Sequence, residues 1–268
     1  MPALRETPLA VLRIALLVSL VCSMVVAGTA VGLKSMQLEN RRVDRERHLL
    51  AIVGLHDRAL SASEVGERFR ERITPRLVDL DTGAYVGAPP GHDSFDPLTW
   101  EGARVATDPA LSRVLSRSED IAGIQRRERY AVVYKLMQGE RVDALILPVR
   151  GYGLWSTLYG FLAVDADLNT VLGLRFYQHA ETPGLGGEVD NPRWKALWPG
   201  KRLFDSDGQL RLRVGKAGGD NQDARWRVDA LAGATLTSNG VNNMIRFWLG
   251  PQGYGPYLKR LRQEGVES

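Results

Sequence analysis

The run from Ile14 to Leu33 contains no charged residue and is bracketed by Arg13 and Lys34. As a helix rising about 1.5 Å per residue, its roughly 20 residues match a hydrocarbon core of about 30 Å. A secretory leader competes with a membrane anchor. Arg5 and Arg13 make a basic start, and Gly28 and Ala30 suit the flanks of a cleavage site. The apolar run exceeds a usual signal core, which favours a retained anchor. On the C-terminal side stand Lys34, Arg41, Arg42, Arg45 and Arg47, offset by Glu39, Asp44 and Glu46. Counting Lys and Arg alone places that side in the cytoplasm.

The remaining chain is long enough for one sizeable core. Over all 268 residues, 44% hydrophobic and 25% charged is the composition of an ordinary globular protein. A net charge of +4 with dispersed Lys and Arg carries no nucleic-acid signature. The single cysteine, Cys22, excludes a disulfide scaffold, and His48, His56, His92 and His179 are too scattered for a metal cluster.

From Glu39 to Arg76 the pattern reads mostly as helix, with an apolar side of Leu49, Leu50, Ile52, Val53 and Leu55. Ser63 and Glu67 mark the start of a second helix. Gly83, Gly87, Pro89, Pro90 and Gly91 make Asp81 to Asp96 a loop. A short helix is expected over Asp108 to Arg117, and the cluster Arg126, Arg127, Glu128, Arg129 reads as a solvated face.

Strand signals dominate from Tyr130 onward: Tyr130 to Met137, Ala144 to Val149, Leu158 to Val164 and Thr170 to Tyr177, with turns at Gln138 to Glu140 and Asp165 to Asn169. The short connections suit antiparallel hairpins. Leu210 to Val214 and Arg225 to Val228 are further strand candidates; Pro192 to Trp198 reads as a helical turn and Tyr254 to Gln263 as a terminal helix. The expected fold is α+β, a bent and mainly antiparallel sheet with flanking helices behind an N-terminal transmembrane helix. The divisions expected are a segment 1–13, an anchor 14–33, a helical and loop region 34–129, a ligand-binding domain 130–250 and a C-terminal helix or tail 251–268.

Three stretches carry the chemical interest. Gly151-Tyr152-Gly153-Leu154-Trp155-Ser156 joins two expected strands and offers sharp turns beside a flat apolar ring. In Glu181-Thr182-Pro183-Gly184-Leu185-Gly186-Gly187, proline argues against a central strand and the glycines let amides face a small ligand. Leu185 is an isolated apolar cover for an aromatic ring. Third, Asp229 to Gly240 passes through Gly233-Ala234-Thr235 into an amphipathic run with Val241, Met244, Ile245, Trp248 and Leu249. Thr235 thus enters a helix where free N–H groups and the dipole favour a phosphate. An ordinary N-cap accounts for the same residues. No Gly-x-Ser-x-Gly elbow and no Gly-x-Gly-x-x-Gly between strand and helix supports a hydrolase or a dinucleotide fold.

Together the three stretches resemble the signatures of the NqrC family, the C subunits of the sodium-translocating NADH:quinone reductases, and of the related G subunits of the Rnf complexes. Leu158 to Leu162, Glu188, Asn191, Pro192 and Trp194-Lys195 extend the resemblance. Ala232 stands where the family usually has Ser or Thr, and Ala180 where it has Gly.

The resemblance implies that Thr235 carries FMN through a phosphoester, with Trp155, Glu181, Thr182, Leu185, Gly186, Leu236 and Thr237 as cofactor-binding residues and no catalytic or metal-ligating residue. It implies an electron relay inside a complex, alongside A, B, D, E and F subunits, that oxidises NADH, reduces ubiquinone and exports sodium. It further implies a flavin transferase for maturation, with Asp229 in recognition, and a bacterial inner-membrane anchor with the flavin domain in the periplasm, opposite to the Lys and Arg count. Two alternatives stay open: a G-type subunit exchanging electrons with ferredoxin, and a non-redox anchored module that binds a ligand or assembles a complex.

Overall fold

In a computed structural model, residues 7–57, 59–92, 95–216 and 221–266 are described, so Arg5 of the basic start lies outside the described residues. The chain separates into a unit of residues 1–44 and a larger unit of residues 45–268. Ile14 to Leu33 lies within α1 (Pro8–Ile52), a single helix whose most apolar stretch has a mean hydropathy of 2.6. By length and composition this is the one membrane-crossing candidate among the described residues. The small residues Gly28 and Ala30 fall inside an unbroken helix.

Within the larger unit, α2 (Ala62–Arg72) leads into β1 (Ile73–Asp79). Ser61, not Ser63, caps α2: its hydroxyl accepts from the Glu64 N–H while the Glu64 carboxylate accepts from the Ser61 N–H. The expected helix to Arg76 therefore ends at Arg72, and β2 (Tyr85–Val86) interrupts the expected loop. Four residues, Gly102–Val105, form α3. The helix expected over Asp108 to Arg117 is instead β3 (Ser112–Val114), paired antiparallel with β4 (Arg126–Glu128).

The long strands β5 (Tyr130–Gln138), β6 (Arg141–Tyr152), β7 (Thr157–Asp165) and β8 (Val171–Gln178) appear where the alternation places them. With β1 and β2 they make a six-stranded antiparallel sheet in the order β2-β1-β5-β6-β7-β8. Behind it come α4 (Pro192–Lys195), a two-stranded parallel ribbon of β9 (Arg213–Gly215) and β10 (Arg227–Asp229), then α5 (Thr235–Leu249) and α6 (Gly255–Glu264).

Strand alternation sorts the core onto two faces. Val133, Leu145, Leu147, Leu158 and Leu162 face α5 and α6, through Val241, Met244, Ile245, Trp248, Tyr257 and Leu261. Val132, Tyr134, Ala144, Ile146, Phe161 and Ala163 face Leu49, Leu50, Val65 and Phe69. Both faces are dry, which is why β5 to β7 read as nearly continuous apolar runs.

Two expected boundaries move as a result. β1 is a full member of the sheet, so no break falls at 129/130; α6 shares the α5 core and is no separate tail. The Arg126 to Arg129 cluster is also not a solvated face. Arg127 and Glu128 are 1% and 3% exposed. Arg127 pairs with Asp81, and Arg150 meets Glu128 at 2.6 Å. A buried charge is tolerable only with such a partner.

Candidate functional site

Helix α5 begins without a side-chain cap. The N-cap position is Ala234, at φ −125° and ψ 54°, and Thr235 is the first helical residue rather than the cap. Gly233 makes the entry turn at φ +72°. Ser238 stitches the turn to the helix: its hydroxyl accepts from the Leu231 N–H at 3.0 Å and donates to the Ala234 carbonyl at 2.9 Å. Trp194 braces the approach from the other side, its Nε1–H donating to the Asp229 carbonyl at 2.9 Å. The first intrahelical bond runs from the Ser238 N–H, so the amides of Thr235, Leu236 and Thr237 have no backbone acceptor within the helix. Thr235 is exposed, and its hydroxyl has no hydrogen-bond partner among the described residues. A bare hydroxyl beside unfilled amides at the positive end of a 15-residue helix is an arrangement that favours an anion.

The two glycine-rich loops meet at this helix start through one carboxylate. Glu181 is 5% exposed. Its Oε1 accepts from the N–H groups of Leu154, Trp155 and Ser156 at 3.1, 2.9 and 3.1 Å. Oε2 accepts from the Thr237 hydroxyl at 2.7 Å. Burial opposes ionisation here, but the Thr237 hydroxyl and the three amides outweigh it and hold the carboxyl below its ordinary value. The backbone behind Glu181 is fixed too. Its own N–H donates to His179 Nδ1 at 3.3 Å, and the Ala180 N–H donates to Ser156 Oγ at 2.8 Å.

Gly153, Gly186 and Gly240 are explained by closeness, and Gly184 by its turn at φ +75°. A Cβ on Gly186 would stand 2.5 Å from both Glu181 Oε2 and Thr237 Oγ1; one on Gly153 would stand 2.6 Å from Glu181 Oε1. A Cβ on Gly240 would lie 2.4 Å from the Tyr152 carbonyl oxygen, so α5 packs backbone against backbone on this loop. The Gly187 amide is spent on the Thr182 carbonyl at 2.9 Å.

The residues picked from sequence therefore fall into two groups. Glu181, Gly186 and Thr237 form the buried joint, with Glu181 turned to the protein's own amides. Trp155, Leu185 and Leu236 are 67%, 48% and 58% exposed, and Thr182 is exposed beside them. Leu185 hangs over the entry turn, its Cδ2 3.5 Å from where a Cβ on Gly233 would be. Leu154, in the same loop as Trp155, is 39% exposed, so exposed apolar side chains stand on both loops and on the first turn of α5. Sequence reasoning missed the joint itself. Thr237 and Glu181 lie 56 residues apart, and no periodicity or motif pairs them. It also missed Gly240 as a packing position and His179, which the Asp190 carboxylate holds at 2.8 Å from Nε2. Among the described residues, no cluster of acids, histidines or cysteines suits a metal ion.

A family model for the FMN-binding domain matches residues 153–250, a span that opens in the first glycine loop and closes at the end of α5. The C subunit of the Na(+)-translocating NADH-quinone reductase of Pseudomonas aeruginosa is 53% identical over 261 residues, covering 97% of this chain and 98% of that protein. Its counterpart from Yersinia pestis is 44% identical over 258 residues, covering 96% and 94%. Among solved structures, NqrC of Shewanella oneidensis superposes with a TM-score of 0.74 at 32% identity, over 84% of this chain and 99% of the other. The corresponding structure from Parabacteroides distasonis gives 0.65 at 27% identity, over 84% and 96%.

Proposed function

The chain belongs to the NqrC family, the C subunits of the Na(+)-translocating NADH-quinone reductases, and on that premise we propose that it relays electrons through FMN esterified to Thr235. The observation that carries the proposal is the start of α5. Its amides are uncapped, its first side chain is a free and exposed hydroxyl, and a phosphate on that oxygen supplies the missing cap. Leu154, Trp155, Leu185 and Leu236 expose apolar side chains of the kind that cover an isoalloxazine ring. The flavin supplies the one-electron and two-electron chemistry when bound; the protein contributes position and electrostatics. The residues of this chain accordingly need no acid or base.

Attachment is a phosphoryl transfer catalysed by a separate flavin transferase. The Thr235 oxygen bonds to the riboflavin-side phosphorus of FAD, the pyrophosphate bond breaks, AMP leaves with that electron pair, and the hydroxyl proton passes to a base on the transferase. The exposed position of Thr235 gives such an enzyme access. Asp229, half-exposed and 3.5 Å from Arg227 Nε, lies on the approach it would read.

Within the oxidoreductase complex the chain serves alongside the A, B, D, E and F subunits, taking electrons from an iron–sulfur centre and passing them toward a flavin on the B subunit. The apolar segment of α1 anchors it in a bacterial inner membrane, with the flavin domain in the periplasm. The relatives' names favour this reading over a ferredoxin-linked G-type subunit or a non-redox module.

The test is denaturing electrophoresis under ultraviolet light, with mass spectrometry of the peptide from Asp229 to Arg246. The wild-type chain expressed with its transferase fluoresces and its peptide gains the mass of FMN less water. Thr235→Val abolishes both and leaves the fold intact. Fluorescence surviving in Thr235→Val, or an unmodified wild-type peptide, overturns the assignment.

A further inference from the structure

Three consecutive amides, those of Leu154, Trp155 and Ser156, converge on one point beside the start of α5. Such a nest is a ready anion site, and in a flavin site it stands as a natural seat for a phosphate. Here the seat is filled from within by Glu181, whose second oxygen is tied to Thr237 in the first turn of α5.

We propose that Glu181 is the positioning residue of the flavin site: as a built-in anion it occupies the nest, bars the nucleotide phosphate from it, and locks the Trp155 loop to the first turn of α5. This role extends the reading of Thr235 as the flavin carrier and rests on it. Three features of the geometry support it. All five donors on Glu181, the Ser156 hydroxyl at 3.5 Å included, belong to the two elements that must stay in register, the loop bearing Trp155 and the helix bearing Thr235. Gly153 and Gly186 leave room for the carboxylate and for nothing larger, since a Cβ on either would come within 2.6 Å of it. The carboxylate is also inaccessible as a ligand contact, being 5% exposed.

A buried negative charge bonded to Thr237, two residues from Thr235, would disfavour electrons added to a flavin carried there, so its removal raises the flavin potential. Glu181→Gln keeps the shape and most of the hydrogen bonds, with the Thr237 hydroxyl turning to accept from the new amide, and it removes only the charge. Glu181→Ala removes the lock as well.

The experiment uses the full chain co-expressed with its transferase, as wild type, Glu181→Gln and Glu181→Ala, each also in the Thr235→Val background. Readouts are the flavin midpoint potential, flavin fluorescence anisotropy, and amide hydrogen exchange at residues 154–156. In Glu181→Gln the potential rises with the equilibrium shifted about tenfold, about 59 mV for a one-electron couple, and the anisotropy stays near wild type. In Glu181→Ala the flavin anisotropy falls, and exchange at 154–156 speeds by at least tenfold; the faster exchange is seen in the flavin-free Thr235→Val background as well. Unchanged potential in Glu181→Gln together with unchanged exchange in Glu181→Ala overturns the positioning role. A wild-type chain without covalent flavin sinks the flavin reading instead, and the exchange data on Thr235→Val then still judge the lock by itself.

Discussion

The Nε1–H of Trp248 donates to the Arg150 carbonyl at 2.7 Å, pinning the C-terminal half of α5 to the strand that feeds the Trp155 loop. The indole is 1% exposed, and the Arg150 guanidinium stands over it at 5.4 Å from the ring centroid. Trp248 is thus where α5 is fastened to the sheet. Trp248→Phe keeps most of the volume but leaves that carbonyl without its donor, costing about 1–3 kcal/mol. Trp248→Ala adds a cavity and costs about 3–5 kcal/mol. Urea unfolding of the chain, followed by circular dichroism, measures both, and a smaller loss for Ala than for Phe contradicts the account.

Arg150 has a second obligation in its ion pair with Glu128, whose side chains are 8% and 4% exposed. Removing one partner strands a buried charge, at about 3–5 kcal/mol. Glu128→Ala is therefore expected to destabilise strongly, while the double change Glu128→Ala with Arg150→Met recovers much of the loss. The same unfolding measurement decides this: a double variant no better than Glu128→Ala shows that the charge was not the reason. The Arg126 to Arg129 sequence looked solvated because charge runs usually are. Its burial depends on Arg150 and Asp81, partners distant in sequence.

Gly240→Ala places a methyl group 2.4 Å from the Tyr152 carbonyl oxygen. Backbone cannot yield as a side chain does, so α5 lifts from the loop, at about 1–3 kcal/mol. Flavin incorporation at Thr235 is expected to fall with it, whereas Asn239→Ala, at an exposed neighbour, leaves incorporation unchanged. In-gel fluorescence per mole of chain compares the two. Equal yields contradict the close approach.

This glycine illustrates what was legible. The alternation of β5 to β8 and the spacing of Val241, Met244, Ile245 and Trp248 are local properties, and they located the long strands and α5 within a few residues. The start of α5 at Thr235 was legible for the same reason. What failed was set by distant partners: β3 against β4 in place of a helix, and the buried Arg127; the amide partners of Glu181 were hidden for the same reason. The glycines were visible, but whether each faced a ligand or a neighbouring backbone was a matter of tertiary approach.

Acid stability carries the signature of Glu181. Because its carboxyl is held below the ordinary value in the folded chain, the folded state binds fewer protons than the unfolded state. The resulting stabilisation is complete above the unfolded carboxyl value of about 4.3. It is lost as pH falls through the depressed folded value. Melting temperatures of wild type and Glu181→Gln are therefore expected to differ most at neutral pH and to converge below about pH 4. A constant gap across that range rejects the charge as the cause. Glu119, lowered to about 2 by the Ser116 N–H and hydroxyl and by Arg113, titrates equally in both proteins and cancels in the comparison.

A phosphoester on Thr235 makes a last demand on the helix it occupies. With Ala234 at the N-cap, the first-turn amides are left to water, and a phosphate on the neighbouring oxygen gives them an acceptor. Attachment should then slow hydrogen exchange at Leu236 and Thr237 and stabilise the chain by about 0.5–2 kcal/mol, the range of an ordinary cap. The stabilisation should weaken with added salt, as dipole interactions at an exposed helix end do. Thr235→Val is the flavin-free reference and keeps nearly the same volume. Equal first-turn exchange in the flavinylated chain and in Thr235→Val means that the phosphate points away from the helix, and the cap assigned to it here is then wrong.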